Sequence, residues 1–333
     1  MVRRSISALV SKFHADSSRD PVEMGAKICS RGVTRRGAIL GGACVFGHPA
    51  TAHAEADTNC LEIAAQPKVE QSAEEQERHG IFLRLAMALV FDGWGVDRDR
   101  NDLINAYAAA APGKRFGAYA GHSIGALLVN ARAEIICFAL NRNVELNSTL
   151  EHAEARAIRT AIQIANARRF QTGGPNWSFG NLLRGDRLYS TLEPCAQCAG
   201  IMDLANIGTV VFAQSDPSQN NIVNILYNLR HPPGRRTSND AGGAPFPVPG
   251  VFLDVWYDLE TAYRTFVAEA PPGSRTGLTS FLETVAAWQV YRDAALSLLE
   301  MRPVHQANAD ILRSAREFRE RWRDRVFLGG VPN

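Results

Sequence analysis

Two short stretches of the sequence decide the fold of this chain. Residues 150–157 read LEHAEARA, and residues 191–200 read TLEPCAQCAG. The first contains a His-x-Glu motif, and the second contains Pro-Cys-x-x-Cys. Each motif stands where a predicted helix begins, directly after a loop or a strand. We therefore expect both motifs at helix N-termini, where the helix dipole favours anionic groups such as thiolates.

Together the two motifs predict a catalytic zinc site. By itself, a His-x-Glu is common on helices, and a single Cys-x-x-Cys also suits a structural zinc half-site or a redox pair. Three ligands, His152, Cys195 and Cys198, would leave the fourth tetrahedral position of zinc open, as catalytic zinc sites do. Glu154 is not required as a ligand and is free to carry protons. This combination is the signature of zinc-dependent nucleobase deaminases.

The rest of the pattern predicts an α/β fold. Strands are expected at 124–129, 134–140, 187–192 and 209–213, and helices at 72–93, 102–111, from about 152, and at 195–204. The helix at 72–93 starts with a Ser-x-x-Glu capping box. Residues 170–186 hold four glycines and a proline and predict a long loop, which is often functional.

The C-terminal third reads as a helical extension. Residues 241–252 carry three prolines and predict a linker, with the extension at 253–333. Helices are expected at 253–268, 278–301 and 307–327. Their aromatic residues are expected to pack the helices together, because this is far more common than an aromatic ligand cage.

The N-terminal segment predicts an export signal. Arg35 and Arg36 precede a short, weakly apolar run at 37–46, and Ala52-His53-Ala54 fits a signal-peptidase site. This order predicts a twin-arginine-type signal over 1–54, a linker over 55–71 and a periplasmic or secreted protein. A disordered basic leader, or an upstream start codon ahead of a cytoplasmic protein, remains the alternative. No apolar run reaches the ~20 residues of a membrane-spanning helix.

The motifs resemble those of the cytidine/deoxycytidylate deaminase superfamily. The segment from about Glu75 to Asp216 is most similar to the branch of tRNA-adenosine and guanine deaminases. Residues 123–129 (SIGALLV), 141–142 (NR) and 210–216 (VVFAQSD) look like that branch's first strand, its Asn-Arg pair and its fourth strand. The resemblance implies a three-layer αβα domain at 72–240 with a mixed sheet of about five strands, the fourth parallel to its neighbours.

The resemblance also suggests how the site would work. Glu154 would be the proton shuttle of a hydrolase acting on cyclic amidines, with zinc as cofactor. Asn141 is expected to contact the substrate, although a turn asparagine that caps the hairpin is nearly as good an interpretation. Ala153 is expected to offer a peptide group to the base edge, and Pro194 to fix the approach to the first cysteine. His122 precedes the first strand. It could face the pocket, but a histidine of a surface loop is the simpler interpretation.

Composition favours a small substrate over a nucleic acid. Of 36 basic and 34 acidic residues, eight and three lie in 1–54, which leaves a mildly acidic remainder of 28 and 31. Such a body lacks the basic groove that a nucleic-acid backbone requires. We therefore expect a deaminase of a free base, nucleoside or related small amino-heterocycle, and by default a homodimer. Deamination of RNA or single-stranded DNA remains an alternative, because four arginines lie around the expected long loop: Arg168, Arg169, Arg184 and Arg187. A non-catalytic, zinc-stabilised interaction protein is the other alternative.

Overall fold

The chain is described by a computed structural model that covers four segments, 71–94, 121–172, 182–216 and 246–327. The export signal expected at 1–54, nearly all of the linker expected at 55–71 and the helix expected at 102–111 lie outside these segments. Residues 66–333 form one compact unit.

A mixed five-stranded sheet organises the described segments. Its strands are β1 (Gly125–Val129), β2 (Ile135–Leu140), β3 (Arg187–Ser190), β4 (Thr209–Phe212) and β5 (Phe246–Pro249). They lie in the order β2-β1-β3-β4-β5. Strand β1 is antiparallel to β2 and β3, whereas β4 is parallel to β3 and β5. The expected mixed sheet of about five strands, with a parallel fourth strand, is confirmed.

Helices cover both faces of this sheet. They are α1 (Ala73–Gly93), α2 (Ala153–Thr172), α3 (Ala196–Leu204), α4 (Asp254–Glu269), α5 (Leu278–Phe281), α6 (Val285–Glu300) and α7 (Ala309–Phe327). Neighbouring side chains of a strand point to opposite faces. The ring of Tyr189 lies 4.9 Å from that of Phe82 in α1, whereas Ser190 bonds Glu154 in α2. Helices α1 and α2 therefore lie on opposite faces, which confirms the three-layer αβα fold.

Helix α1 is the central helix of one layer. Its predicted capping box is present: Glu75 N donates to Ser72 Oγ at 3.2 Å, and Ser72 N donates to Glu75 Oε2 at 3.1 Å. Every residue from His79 to Val90 except Arg84 is buried. The helix is buried so completely because the sheet covers one side of it and α6 and α7 cover the other.

The linker expected at 241–252 is wrong at its centre. Residues Phe246–Pro249 form β5, which pairs with β4 at the edge of the sheet. The prolines that suggested a linker are tolerated here because an edge strand can leave N–H positions outside the ladder. The helical extension therefore follows directly from the sheet.

The helical extension packs against α1 through polar contacts at both ends of that helix. Arg319 of α7 forms a two-pronged ion pair with Asp92 at 2.7 and 3.1 Å and also donates to the carbonyl of Ala295. At the other end of α1, Glu77 accepts from the His305 backbone N–H at 3.0 Å. The extension thus shares its core with the sheet domain.

Two boundaries differ from expectation. The helix expected at 278–301 is interrupted after α5, because Thr284 starts a new helix by accepting a hydrogen bond from Ala287 N at 3.2 Å. The loop expected at 170–186 is wrong at its start, because α2 continues to Thr172, and residues 173–181 of that stretch lie outside the described segments. Of the described helices, none is long and apolar enough to span a bilayer.

Candidate metal centre and active site

The two motifs lie at adjacent helix starts. His152 directly precedes α2, and Glu154 is in the first turn of that helix. Cys195 is the N-cap residue of α3, in an extended conformation with φ −70° and ψ 168°, and Cys198 lies in its first turn. The helices begin where the sequence predicts, and the two helices pack against each other. Two chain segments some forty residues apart therefore meet at one place.

The three predicted ligands converge. His152 Nδ1 lies 3.4 Å from Cys195 Sγ and 3.6 Å from Cys198 Sγ, and the two sulfurs are 3.5 Å apart. Tetrahedral zinc with bonds of ~2.0–2.3 Å requires ligand atoms about 3.3–3.8 Å apart. Among the described residues, this is the one group of three or more His, Cys, Asp or Glu side chains arranged to hold a metal ion. The residues present therefore fit zinc.

The protonation of these side chains also fits a cation. The hydrogen bond from the Cys198 thiol, with His152 close by, lowers the pKa of Cys195 to about 4. The same contact, together with burial, raises the pKa of Cys198, because a second negative charge would stand beside the first. The hydrogen bond with Cys195 raises the pKa of His152. A cation among the three side chains would relieve the repulsion between two thiolates.

Glu154 is a buried carboxyl group at the edge of this cluster. Its side chain is 4% exposed, and burial raises its pKa. Its Oε2 lies 3.7 Å from Cys198 Sγ, and its Oε1 accepts a hydrogen bond from Ser190 Oγ at 3.4 Å. A carboxyl group with a raised pKa exchanges protons more readily near neutral pH, which suits a general acid–base.

Two residues that support the site had no role assigned from the sequence. Ser190 ends β3, is fully buried and holds the Glu154 carboxylate. Glu193 is buried and accepts from Asp216 N at 2.8 Å, so it ties the cysteine motif to the segment after β4. A polar residue at the end of an otherwise apolar strand, directly before a metal motif, is the signal that points to Ser190.

The predicted substrate contacts lie close to the cluster in the fold. Ala153 is fully buried at the first position of α2, and Pro194 is buried directly before Cys195. Asn141 is 3% exposed, and its Oδ1 accepts from Asn143 N at 3.0 Å. That bond is the turn-capping contact considered as the alternative for Asn141. A role in substrate binding remains a prediction for all three residues.

Comparison with known proteins identifies the family. Residues 100–214 match the family model described as the cytidine and deoxycytidylate deaminase zinc-binding region. The tRNA-specific adenosine deaminase of Aquifex aeolicus is 32% identical over 109 residues, which are 33% of this chain and 63% of that protein. The enzyme of the same name from Agrobacterium fabrum is 35% identical over 94 residues, 28% of this chain and 53% of that protein.

The chain spans 63% and 53% of the length of these two curated relatives. A solved guanine deaminase from Nitrosomonas europaea aligns with 69% of this chain and all of its own, at 17% identity and a TM-score of 0.30. A TM-score this low says nothing about the substrate. The family match and the metal motifs agree: residues 100–214 match the zinc-binding region of cytidine and deoxycytidylate deaminases, and this stretch is similar to tRNA-specific adenosine deaminases.

Proposed function

We propose that this protein is a hydrolytic, zinc-dependent deaminase that converts an amino-heterocycle to its oxo form and releases ammonia. The observation that carries the proposal is the cluster of His152, Cys195 and Cys198, with ligand atoms within 4.8 Å of one another, beside the buried carboxyl group of Glu154. A structural zinc site has no use for that carboxyl group. The similar tRNA-specific adenosine deaminases support the reaction type.

The residues of the site have distinct tasks in this proposal. A zinc ion held by the three ligands would supply a water molecule of lowered pKa near the substrate. Glu154 would take one proton from that water and pass it to a ring nitrogen as the water oxygen adds to the amino-bearing carbon. It would then take the second proton from that oxygen and give it to the amine as the C–N bond breaks and ammonia leaves. Ser190 orients the carboxylate through its 3.4 Å hydrogen bond to Oε1. In this proposal the peptide group at Ala153, at the start of α2, binds the edge of the base.

We propose a free base, nucleoside or related small heterocycle as the substrate. The mildly acidic charge of residues 55–333 supports this choice, because a nucleic-acid backbone binds best in a basic groove. Deamination of RNA is the second candidate, and the similarity to tRNA-specific adenosine deaminases favours it. Both candidate functions use the same zinc site of His152, Cys195 and Cys198. They differ in the surface around that site, over which the substrate would reach it.

Ammonia release from purified, zinc-analysed protein tests the proposal. The panel is cytosine, cytidine, adenine, adenosine, guanine, guanosine, 2,6-diaminopurine, unfractionated tRNA and single-stranded DNA. We expect turnover of at least one small compound at a rate well above that with tRNA or DNA. Turnover restricted to nucleic acid would replace the small-molecule proposal with the second candidate.

Glu154→Gln separates catalysis from zinc binding. We expect this variant to keep its zinc and its unfolding temperature while turnover falls by roughly 10²–10⁴-fold, the contribution of a positioned acid–base. Glu134→Gln, the same change at an exposed turn residue, is the control and should behave as wild type. Zinc-loaded wild-type protein that releases no ammonia from any compound would support the non-catalytic interaction protein instead.

A further inference from the structure

The candidate site and the start of β1 lie at the same end of the sheet. Strand β1 is antiparallel to β2 and β3, so Gly125 at its start lies beside Leu140 at the end of β2. Gly125 also exchanges hydrogen bonds with Thr191, just past the end of β3, at 3.1 and 3.0 Å. Ser190, which precedes Thr191, bonds Glu154. The segment before β1 therefore lies at the same end of the sheet as the carboxyl group of Glu154.

His122 belongs to this segment. The turn before β1 is tight, because Ile124 N donates to the His122 carbonyl at 2.6 Å. The preceding Gly121 lies against Asn141, and a Cβ atom there would stand 2.4 Å from Asn141 Oδ1. His122 is thus next to the predicted substrate contact, and its side chain is 28% exposed.

The helical extension supplies a partner for this histidine. Glu283 lies between α5 and α6, is 7% exposed and places its Oε1 3.3 Å from His122 Nδ1. Nothing else in the described segments bonds the imidazole ring of His122. A carboxylate beside Nδ1 holds the proton on that nitrogen and leaves Nε2 as a hydrogen-bond acceptor.

We infer that His122 binds the substrate and that Glu283 positions it. This inference rests on the proposed function and adds a specificity element to the same site. The Nε2 of His122 accepts a hydrogen bond from an N–H on the edge of the heterocycle, while the buried carboxylate fixes the ring and its tautomer. The helical extension thereby takes part in substrate recognition through Glu283, in addition to packing on α1.

A double-mutant cycle tests this coupling on the best small substrate of the wild-type protein. The variants are His122→Ala, Glu283→Leu and the double variant, with Glu283→Gln as the conservative change that keeps an acceptor oxygen. Loss of one substrate hydrogen bond predicts a KM raised by about tenfold in His122→Ala, with kcat changed less than about threefold. Glu283→Leu should raise KM similarly, the double variant should be no worse than His122→Ala, and Glu283→Gln should recover most of the loss.

A second histidine–carboxylate pair is a matched control. Glu77 and His305 also join the extension to the rest of the fold, with His305 Nδ1 3.1 Å from Glu77 Oε2. Glu77 lies near the N-terminal end of α1, whereas the start of β1, which His122 precedes, lies against Val90 near the C-terminal end of that helix. Glu77→Gln and His305→Ala should leave KM unchanged. Unfolding temperature and zinc content, measured on every variant, separate a binding effect from misfolding; if Glu283→Leu fails to fold, His122→Ala and Glu283→Gln still decide the case.

The outcomes distinguish this inference from the proposed function. An active wild-type protein whose KM is unaffected by His122→Ala overturns the inference and leaves the proposed function intact. Additive effects in the double variant remove the positioning role of Glu283. A zinc-loaded wild-type protein that turns over none of the compounds overturns the proposed function, and the role of His122 with it.

Discussion

Replacing Arg319 by methionine should destabilise the whole described fold. The Asp92 and Arg319 side chains are 1% and 6% exposed, and they meet through two hydrogen bonds. Methionine keeps much of the side-chain length but leaves a buried carboxylate without its main partner. Breaking a buried ion pair in this way costs about 3–5 kcal/mol. Because Arg323 lies 3.9 Å from the same carboxylate and can compensate in part, we expect a loss near 3 kcal/mol.

Chemical denaturation with two probes measures this loss. The free energy of unfolding should fall by about 3 kcal/mol for Arg319→Met in one cooperative transition, because the extension and the sheet share a core. Arg313→Met changes a residue of the same helix whose pair with Asp310 is exposed, and it should cost at most about 0.5 kcal/mol. A loss below about 1 kcal/mol for Arg319→Met, or a separate early transition of the helices, would show that this ion pair does not hold the extension and the sheet together.

Three further predictions follow from named groups. Burial lowers the pKa of His79 to about 4 from 6.5. The neutral, buried His79 therefore contributes about 3 kcal/mol to the free energy of unfolding above pH 6.5, and this contribution is lost as the pH falls towards 4. His79→Gln should flatten that part of the stability curve measured by denaturation, and an unchanged curve would exclude His79 as its cause. Hydrogen bonds from Arg159 and Arg156 lower the pKa of Glu151 to about 2, and Glu151→Gln should cost about 1 kcal/mol at pH 7 and little below pH 2, with Glu145→Gln as the comparison. We also propose twin-arginine export, so replacing Arg35 and Arg36 by lysine should retain the protein in the cytoplasm; equal fractionation of both forms would remove the proposal.

The sequence predicted the three side chains of the candidate metal site because their pattern is local. His-x-Glu and Pro-Cys-x-x-Cys each lie within a single helical turn, and helix starts are marked by nearby residues. Short runs of β-favouring, largely apolar residues likewise predicted β1 to β4 within two residues of their observed ends. Such short-range signals do not depend on the rest of the fold.

The missed features depend on long-range contacts. Strand β5 contains Pro247 and Pro249, so no local pattern favours a strand, and only its pairing with β4 reveals it. The roles of Ser190 and Glu283 also come from residues far away in the sequence, Glu154 and His122. A carboxylate 161 residues from its histidine leaves no periodic trace for sequence analysis to find.

The zinc content of two matched cysteine variants decides whether the metal centre exists. Cys195→Ser removes a ligand of the cluster, whereas Cys137→Ser changes a buried thiol that lies outside it and donates to the Ala157 carbonyl. Wild type and Cys137→Ser should each bind one zinc ion per chain, and Cys195→Ser should lose the ion and all turnover. Full zinc occupancy in Cys195→Ser, or zinc loss in Cys137→Ser alone, would contradict the metal centre on which the proposed function rests.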